Sequence, residues 1–211
     1  MEEGDEAAAP SGGSWVLAPM TKKKLREASE ALMTADKAAR DAAAPYEKSK
    51  PVKLLAWLSV IGDQPQLLAL SGGLLAVGLA RRDRRMAGAG ARMIAAHLLA
   101  TAAKNFVKRR VDRTRPRSAT GKDGHKPKPG RSTAKEETSF PSGHSAGAIA
   151  VARANTREYP EHQAAALAGA GFVALAQIPR SAHYPTDVGA GLAVGLAAEK
   201  AVDLAWPFGE S

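Results

Sequence analysis

Long uncharged stretches rich in Ala, Gly, Leu and Val recur along this chain of 211 residues, and they constrain its fold more than any other feature. Residues 66–80 carry no charge over 15 positions, and residues 163–179 carry none over 17. Little of this sequence alternates between apolar and polar residues, so the pattern predicts helices. Small side chains also let helices approach closely. We therefore predict an all-α fold, with a bundle of five or six helices after residue 54.

The lengths of these runs do not decide whether the bundle lies in a membrane or in water. A membrane-spanning helix needs about 20 apolar residues, and these runs lie near the lower limit. Trp57 and Trp206 stand near the ends of apolar segments, as interfacial aromatic residues do. A soluble bundle with an Ala-rich core is the alternative, and hydropathy alone favours neither.

The net charge of +9 is concentrated in one part of the chain. Between Lys104 and Glu137 there are twelve Lys and Arg residues against four Asp and Glu, a net of +8. Such a block predicts an anionic partner, which can be nucleic acid, an anionic lipid surface or a phosphorylated substrate, or else a solvated loop. Cysteine is absent, which excludes disulfides, thiolate metal sites and cysteine nucleophiles.

The N-terminal part differs in composition from the rest. Residues 1–20 lack the basic start and the long apolar run of a signal peptide, and we predict a disordered tail. Residues 21–50 are predicted to form a polar amphipathic helix and a linker, with Thr21 as the N-cap. The remaining folded part, residues 51–205, contains three short motifs that carry chemistry.

The motif His183-Tyr-Pro-Thr-Asp187 pairs an imidazole with a carboxylate. At a helix start, residues four apart lie on one face. A carboxylate behind an imidazole fixes its tautomer and raises its basicity, which leaves the other ring nitrogen free to attack an electrophile. Alone, the motif is more typical of a loop histidine beside a helix-capping Asp than of a catalytic pair.

The motif Pro141-Ser142-Gly143-His144 is predicted to form a turn into a helix. Gly143 permits an unusual backbone conformation, and N–H groups at the helix start can face an anion. Ser142 adds a hydroxyl, and His144 is placed to protonate a leaving oxygen. An ordinary Ser N-cap with a bystander His is the alternative.

The motif that comes first along the chain, Lys108-x6-Arg115-Pro116, supplies cations. A guanidinium can bind two oxygens of one phosphate, and an ammonium adds a point charge. The other arginines of this stretch are expected in solvated or lipid-facing surroundings: Arg109, Arg110, Arg113 and Arg117.

Together, two histidines, a carboxylate, a cluster of cations and a helix-start anion site are sufficient for phosphoryl transfer through a covalent phosphohistidine. This chemistry requires no metal and no cofactor. The chain contains no H-E-x-x-H sequence and no Walker-type Gly-Lys-Ser/Thr loop.

Taken in order, the three motifs resemble those of the type 2 phosphatidic acid phosphatase (PAP2) superfamily, which also contains vanadium-dependent haloperoxidases and bacterial non-specific acid phosphatases. The resemblance spans residues 54–201. It implies an all-α bundle, embedded in the membrane in the lipid phosphatase branch, and it makes residues 51–205 a PAP2-like phosphatase domain.

The resemblance also implies a role for each matching residue. His183 would attack phosphorus, and Asp187 would orient and activate it. His144 would protonate the leaving group and then activate water. The groups that would hold the phosphoryl oxygens are Lys108, Arg115, Ser142 and the backbone N–H of Gly143.

The chain departs from the family pattern at a position that usually carries a positive charge. The third motif of the family usually begins with Ser-Arg, and this chain has Ala176 and Gln177 there. Gln177 can donate a hydrogen bond but brings no charge. Because Arg180 lies three residues further on, it could share a helix face with Gln177, and we hypothesise that Arg180 partly replaces the missing cation in phosphate binding.

The motifs can act together only if they meet at one end of the bundle, and the number of helices between them brings them to the same membrane face. We expect a multi-pass protein of the cell membrane, with its active site facing away from the cytoplasm as the resemblance implies. The expected partners are the bilayer and a lipid phosphate or diphosphate: phosphatidate, phosphatidylglycerophosphate or an isoprenoid diphosphate.

Two alternatives remain from the sequence. A vanadium-dependent haloperoxidase would use the same site, because vanadate resembles phosphate. A catalytically impaired family member, or a basic protein that binds anions at a membrane, would keep the charge without turnover. Nucleic acid is not expected, because Phe106 is the only aromatic residue of the basic stretch and stacking needs more.

Overall fold

The computed structural model describes residues 21–120 and 124–206, and the predicted tail at residues 1–20 lies outside the described residues. The described part contains seven α-helices and one two-stranded antiparallel sheet of two residues per strand. The all-α prediction is confirmed, and among the described residues the five helices that begin after residue 54 agree with the predicted five or six. The helices are α1 (Lys22–Ala43), α2 (Lys50–Leu58), α3 (Gln64–Arg81), α4 (Arg84–Lys108), α5 (Gly143–Glu158), α6 (Gln163–Leu175) and α7 (Pro185–Ala205), and the strands are β1 (Val111–Asp112) and β2 (Lys128–Pro129).

Small residues dominate the centre of the bundle. α5 packs against α4, α6 and α7, and α4 packs against α3. A Cβ on Gly90 would lie 2.4 Å from the backbone nitrogen of Leu75, and a Cβ on Gly191 would lie 2.4 Å from the carbonyl oxygen of Ser142. Only glycine permits these two approaches between helices. The largest buried apolar cluster consists of Leu67, Met93, Ala96, Ala100, Ala150, Val151, Ala154 and Ala198.

The polar N-terminal helix is observed as α1. Thr21 is its N-cap, as predicted, and its hydroxyl accepts a hydrogen bond from the backbone N–H of Lys24 at 3.3 Å. Most of α1 is exposed, but Asp36 is fully buried. Through Asp36, α1 contacts the beginning of α7, where Asp36 accepts a hydrogen bond from the backbone N–H of Thr186 at 3.0 Å.

The expected membrane-spanning helices are not found. Within residues 21–120 and 124–206, none of the helices combines the length and the apolar character that crossing a bilayer requires. The apolar stretches are interrupted, as α4 is by Arg92 and His97, or short, as in α6 with its 13 residues.

Three chain segments meet at one end of the bundle. α4 ends there at Lys108, α5 begins there at Gly143, and the loop before α7 carries His183. This end also contains the long connection from α4 to α5, which holds both short strands. The arrangement brings the three sequence motifs together.

Candidate active site

A cavity of about 210 Å³ lies where the three motifs meet. All three motifs contribute to its wall, together with residues from the start of α3 and from one face of α4. Its lining residues are Gly62, Asp63, Gln64, His97, Thr101, Lys104, Lys108, Arg115, Gly143, His144 and His183.

The two motif histidines lie close together. The ring centroids of His144 and His183 are 6.5 Å apart, and the ring planes meet at 64°. A nucleophile lies about 3–3.5 Å from the atom that it attacks. One tetrahedral phosphoryl group can therefore contact both rings at the same time.

His183 is buried, and its two ring nitrogens have different surroundings. Its Nε2 atom is 3.4 Å from Nη1 of Arg115, on the cavity side. Its Nδ1 atom is 3.7 Å from Oδ2 of Asp187, which is longer than a hydrogen bond. Burial lowers the pKa of His183 to about 4, so the ring is neutral near pH 7. A neutral imidazole is the nucleophilic form.

Asp187 is fully buried in the first turn of α7. It accepts hydrogen bonds from the Ser139 hydroxyl and from the backbone N–H of Tyr184, the latter at 2.9 Å. Burial opposes ionisation, but His183 and the Arg113 guanidinium hold the pKa of this carboxyl below its usual value. Asp187 is thus a fixed negative charge behind His183.

Arg113 lies in the interior, and the prediction that it belongs to solvated surroundings is wrong. Its Nη1 atom donates to Oδ1 of Asp187 at 2.6 Å, and its Nη2 atom donates to Oδ2 of Asp36 at 2.6 Å. The guanidinium also stacks on the Tyr184 ring, 4.1 Å from the centroid. Two carboxylates and an aromatic face replace the water that such a charge would otherwise need. Arg109, Arg110 and Arg117 are exposed, as expected.

Lys108 and Arg115 bring positive charge to the cavity wall. Lys108 donates to the carbonyl oxygen of Thr138, and Nη1 of Arg115 donates to that of Ala182 at 2.9 Å. Burial, with the charges of Arg115 and Lys104, lowers the pKa of Lys108 to about 7. Burial also lowers the pKa of Arg115. A bound anion would relieve both shifts, because it favours the charged form of each cation.

At the start of α5, Gly143 and Ser142 have different roles in the structure. Gly143 lines the cavity. Ser142 is fully buried, and its hydroxyl caps the helix by accepting from the backbone N–H of Ser145 at 3.3 Å. The Ser145 hydroxyl donates to the same oxygen at 2.9 Å. The Ser142 hydroxyl therefore serves the fold in this structure, and its predicted contact with phosphate stays a prediction.

His144 has a partner that the sequence analysis missed. Its Nε2 atom is 2.5 Å from Oδ1 of Asp63, the residue that precedes α3. Burial lowers the pKa of His144, although Asp63 acts in the opposite direction. The sequence contains no spacing signal that links these two residues, because helices α3 and α4 intervene.

Gln177 and Arg180 are in contact, but they lie in the turn after α6 rather than on one helix face as predicted, and neither lines the cavity. Gln177 is fully buried and donates to the carbonyl oxygen of Val173 at 2.8 Å. Nη1 of Arg180 donates to the side chains of Gln177 at 3.3 Å and of Ser59 at 2.6 Å. The replacement of the missing cation by Arg180 stays a prediction.

Three further cavity residues were missed, namely His97, Thr101 and Lys104 of α4. Their spacing to Lys108 was the available signal, because positions 97, 101, 104 and 108 fall on one helix face. Within the described ranges, no cluster of three or more His, Asp or Glu side chains has the arrangement of a metal site.

Comparison with known proteins agrees with this geometry. The family model of the PAP2 superfamily matches residues 89–205. The fold resembles the crystal structure described as the first transmembrane PAP2 type phosphatidylglycerolphosphate phosphatase, from Bacillus subtilis. The TM-score is 0.57 with 22% identity, over 82% of this chain and 85% of that one. No curated protein matches the sequence. Because the family match covers more than half of the chain and holds all three motifs, the chain belongs to the PAP2 superfamily and is a phosphatase of this type.

Proposed function

We propose that the protein hydrolyses a phosphomonoester or diphosphate of a membrane lipid through a covalent phosphohistidine on His183. One observation carries the proposal. His183 and His144 face each other at 6.5 Å across a cavity that Lys108 and Arg115 also line.

The first half of the reaction transfers the phosphoryl group to the enzyme. Nε2 of His183 attacks phosphorus, a P–N bond forms, and the bond from phosphorus to the leaving oxygen breaks. His144 donates a proton to that oxygen. Lys108, Arg115 and the backbone N–H of Gly143 stabilise the charge on the phosphoryl oxygens.

The second half returns the enzyme to its starting state. His144, now neutral, accepts a proton from water, and the oxygen of that water attacks phosphorus. The P–N bond breaks, inorganic phosphate leaves, and His183 is again neutral. Asp63 can stabilise the imidazolium form of His144, which is needed before the first step and forms again in the second, since its carboxylate contacts Nε2.

Asp187 supports the nucleophile in this scheme. The ring of His183 gains positive charge when phosphorus bonds to Nε2, and the carboxylate of Asp187 lies on the other side of the ring. The separation of 3.7 Å between Nδ1 and Oδ2 must shorten for a hydrogen bond to form. Such tightening on substrate binding is common in active sites.

A second cavity supports a lipid substrate. It has a volume of about 400 Å³ between α3, α5 and α6, and Gly62 lines both this cavity and the polar one. A molecule with a phosphate and a hydrocarbon chain could occupy both. Apart from Asn155, the side chains that line it are apolar, among them Leu67, Leu70, Leu74, Met93, Val151 and Val173.

Association with a membrane fits the surface of the bundle. Large apolar side chains are exposed, among them Trp57 and Leu204 at 71% each. Exposed apolar surface of this kind favours contact with lipid. The structural neighbour is described as transmembrane and as a phosphatidylglycerolphosphate phosphatase, which makes that lipid one substrate to test. The orientation of the site away from the cytoplasm stays a prediction.

The test measures phosphate release by the full chain in detergent with EDTA present. Substrates are phosphatidate, phosphatidylglycerophosphate and an isoprenoid diphosphate. His183→Ala should abolish release from every substrate while circular dichroism stays unchanged. His162→Ala changes an exposed histidine in the short turn Pro160–His162 before α6 and is the matched control. Full activity of His183→Ala would exclude the proposed nucleophile.

A trapping experiment tests the intermediate itself. The enzyme is mixed with substrate labelled in its terminal phosphate and is denatured within one turnover. A phosphohistidine predicts label on the protein that is stable in base and labile in acid. Label should be absent from His183→Ala, and wild-type protein that turns over without ever carrying label would contradict the covalent step.

A further inference from the structure

We propose that His97, Thr101 and Lys104 form a second anion subsite, which holds a phosphoryl group of the substrate other than the one transferred to His183. The inference rests on the proposed function and narrows it. It assigns the enzyme to lipids that carry two phosphoryl groups.

The three residues form one continuous wall. Positions 97, 101, 104 and 108 follow each other at intervals of four, three and four, so their side chains lie on one face of α4. All four line the same cavity. The subsite is therefore a continuation of the Lys108 site, and it leads from the end of α4 into the bundle.

The first two turns of α5 pack directly against this face of α4. A Cβ on Gly143 would lie 3.1 Å from Nζ of Lys104, and a Cβ on Gly147 would lie 3.0 Å from Cε1 of His97. Gly143 and Gly147 are one turn apart, about 6 Å along the helix axis. Lys104 thus lies beside the anion-binding start of α5, and His97 lies one turn deeper.

Two polar side chains of this wall, His97 and Lys104, have no hydrogen-bond partner among the described residues. His97 is 3% exposed, and neither of its ring nitrogens forms a hydrogen bond among the described residues. Lys104 is partly buried, and it has no ion pair or hydrogen bond within the part of the chain that the structure describes. Since buried polar groups are nearly always paired, this wall is built for a polar ligand that enters the cavity.

The charge and the volume exceed what one phosphate needs. Lys108, Arg115 and the start of α5 already form a site for the transferred group, and Lys104 adds a further cation. Burial lowers the pKa of Lys104, and the charge of Lys104 contributes to the lowered pKa of Lys108. The cavity of about 210 Å³ is many times the roughly 10–15 Å³ that accommodates one water molecule, which leaves room beside the transferred phosphoryl group.

Two kinds of lipid offer the required chemistry. In an isoprenoid diphosphate, the second phosphoryl group is joined directly to the transferred one. In phosphatidylglycerophosphate, a glycerol unit separates the terminal phosphate from a phosphodiester. In both, the second group is an anion on the lipid side of the bond that breaks. The substrate comparison below distinguishes them.

The experiment compares pairs of substrates with the same hydrocarbon chains. One pair is an isoprenoid diphosphate and its monophosphate, and the other is phosphatidylglycerophosphate and phosphatidate. Lys104→Met keeps the length of the side chain and removes its charge. We expect the ratio of kcat/KM for the two-phosphoryl lipid over its partner to fall by at least about tenfold. The pair that shows this fall identifies the source of the second group.

His97→Leu should lower the same ratio, because it removes the unpaired ring nitrogens. Lys53→Met changes an exposed lysine of α2 and should leave the ratio at the wild-type value. An equal loss on both members of each pair, or no loss, overturns the subsite. Equal losses would place Lys104 on the transferred phosphate instead.

A binding measurement separates the subsite from the proposed function. The probes are an isoprenoid methylene-diphosphonate and the matching monophosphonate, titrated into His183→Ala protein with and without Lys104→Met. Tighter binding of the diphosphonate that depends on Lys104 supports the subsite even if turnover by a phosphohistidine fails. Equal binding of the two probes, with turnover intact, contradicts the subsite and leaves the function in place.

Discussion

The buried ion pair between Asp36 and Arg113 makes Asp36→Asn a sharp test of how α1 is held. Asp36 is fully buried, and its Oδ2 atom is 2.6 Å from Nη2 of Arg113. It also accepts hydrogen bonds from the backbone N–H and the hydroxyl of Thr186. Removal of one partner from a buried pair costs about 3–5 kcal/mol. Because Asp187 still neutralises Arg113 in the variant, we expect a loss of about 3 kcal/mol, at the lower end of this range.

The assay is urea unfolding of the full chain, followed by circular dichroism in one detergent. Asp41→Asn is the matched control, since it makes the same change on the same helix at an exposed residue that pairs with Lys37. We expect the control to change the free energy of unfolding little. If Asp36→Asn is no more destabilising than Asp41→Asn, the buried pair does not hold α1 to the domain, and the reasoning is refuted.

Three further predictions concern pH, the partner of His144 and the packing of α7. With a pKa of about 4 for His183, kcat/KM should rise as pH increases through 4, because His183 must be neutral. It should fall at higher pH as His144, whose pKa lies below its usual value, and Lys108, whose pKa is about 7, lose the protons that their roles require. A pH profile checks both limbs, and a flat profile from pH 5 to 9 contradicts the roles of His144 and Lys108. Asp63→Asn should lower kcat more than it raises KM, because His144 loses the carboxylate that supports its charged form; steady-state kinetics measure this split, and an effect on KM alone would be against it. Gly191→Ala should lower the free energy of unfolding by about 1–3 kcal/mol, because its Cβ would meet the backbone of Ser142. Gly189→Ala, which has open space around it, is the control in urea unfolding, and equal stability of the two variants would disprove the close contact.

The helices were predictable because local patterns determine them. Thr21 as an N-cap and the uncharged runs that became α3 and α6 depend on neighbours within a few positions. The convergence of the motifs also followed from sequence, since the number of intervening helices fixes which end of a bundle each motif reaches. These features need no knowledge of how side chains pack.

Local sequence patterns did not predict which charged side chains pair between distant parts of the chain. Arg113 and Asp36 are 77 positions apart, and both belong to segments with many other charged residues. His144 and Asp63 are separated by two helices. Which charge is buried depends on the approach of one helix to another, and periodicity within a helix does not contain that information. The same reason explains why the sequence did not predict that Gln177 and Arg180 contact each other in a turn and do not line the cavity.

The charge balance behind His183 connects α1 to the proposed chemistry. Arg113 donates to Asp187 at 2.6 Å, and alone it would neutralise the carboxylate that must stabilise a positively charged phosphohistidine. Asp36 contributes a second carboxylate to Arg113, so the buried group of three side chains keeps one net negative charge beside the ring. Asp36 lies in α1, outside the residues 89–205 that match the family model. Asp36→Asn should therefore lower kcat as well as stability, while KM changes little, because Asp36 does not line the cavity. A stable Asp36→Asn protein with wild-type kcat would show that Asp187 supports His183 without this second carboxylate.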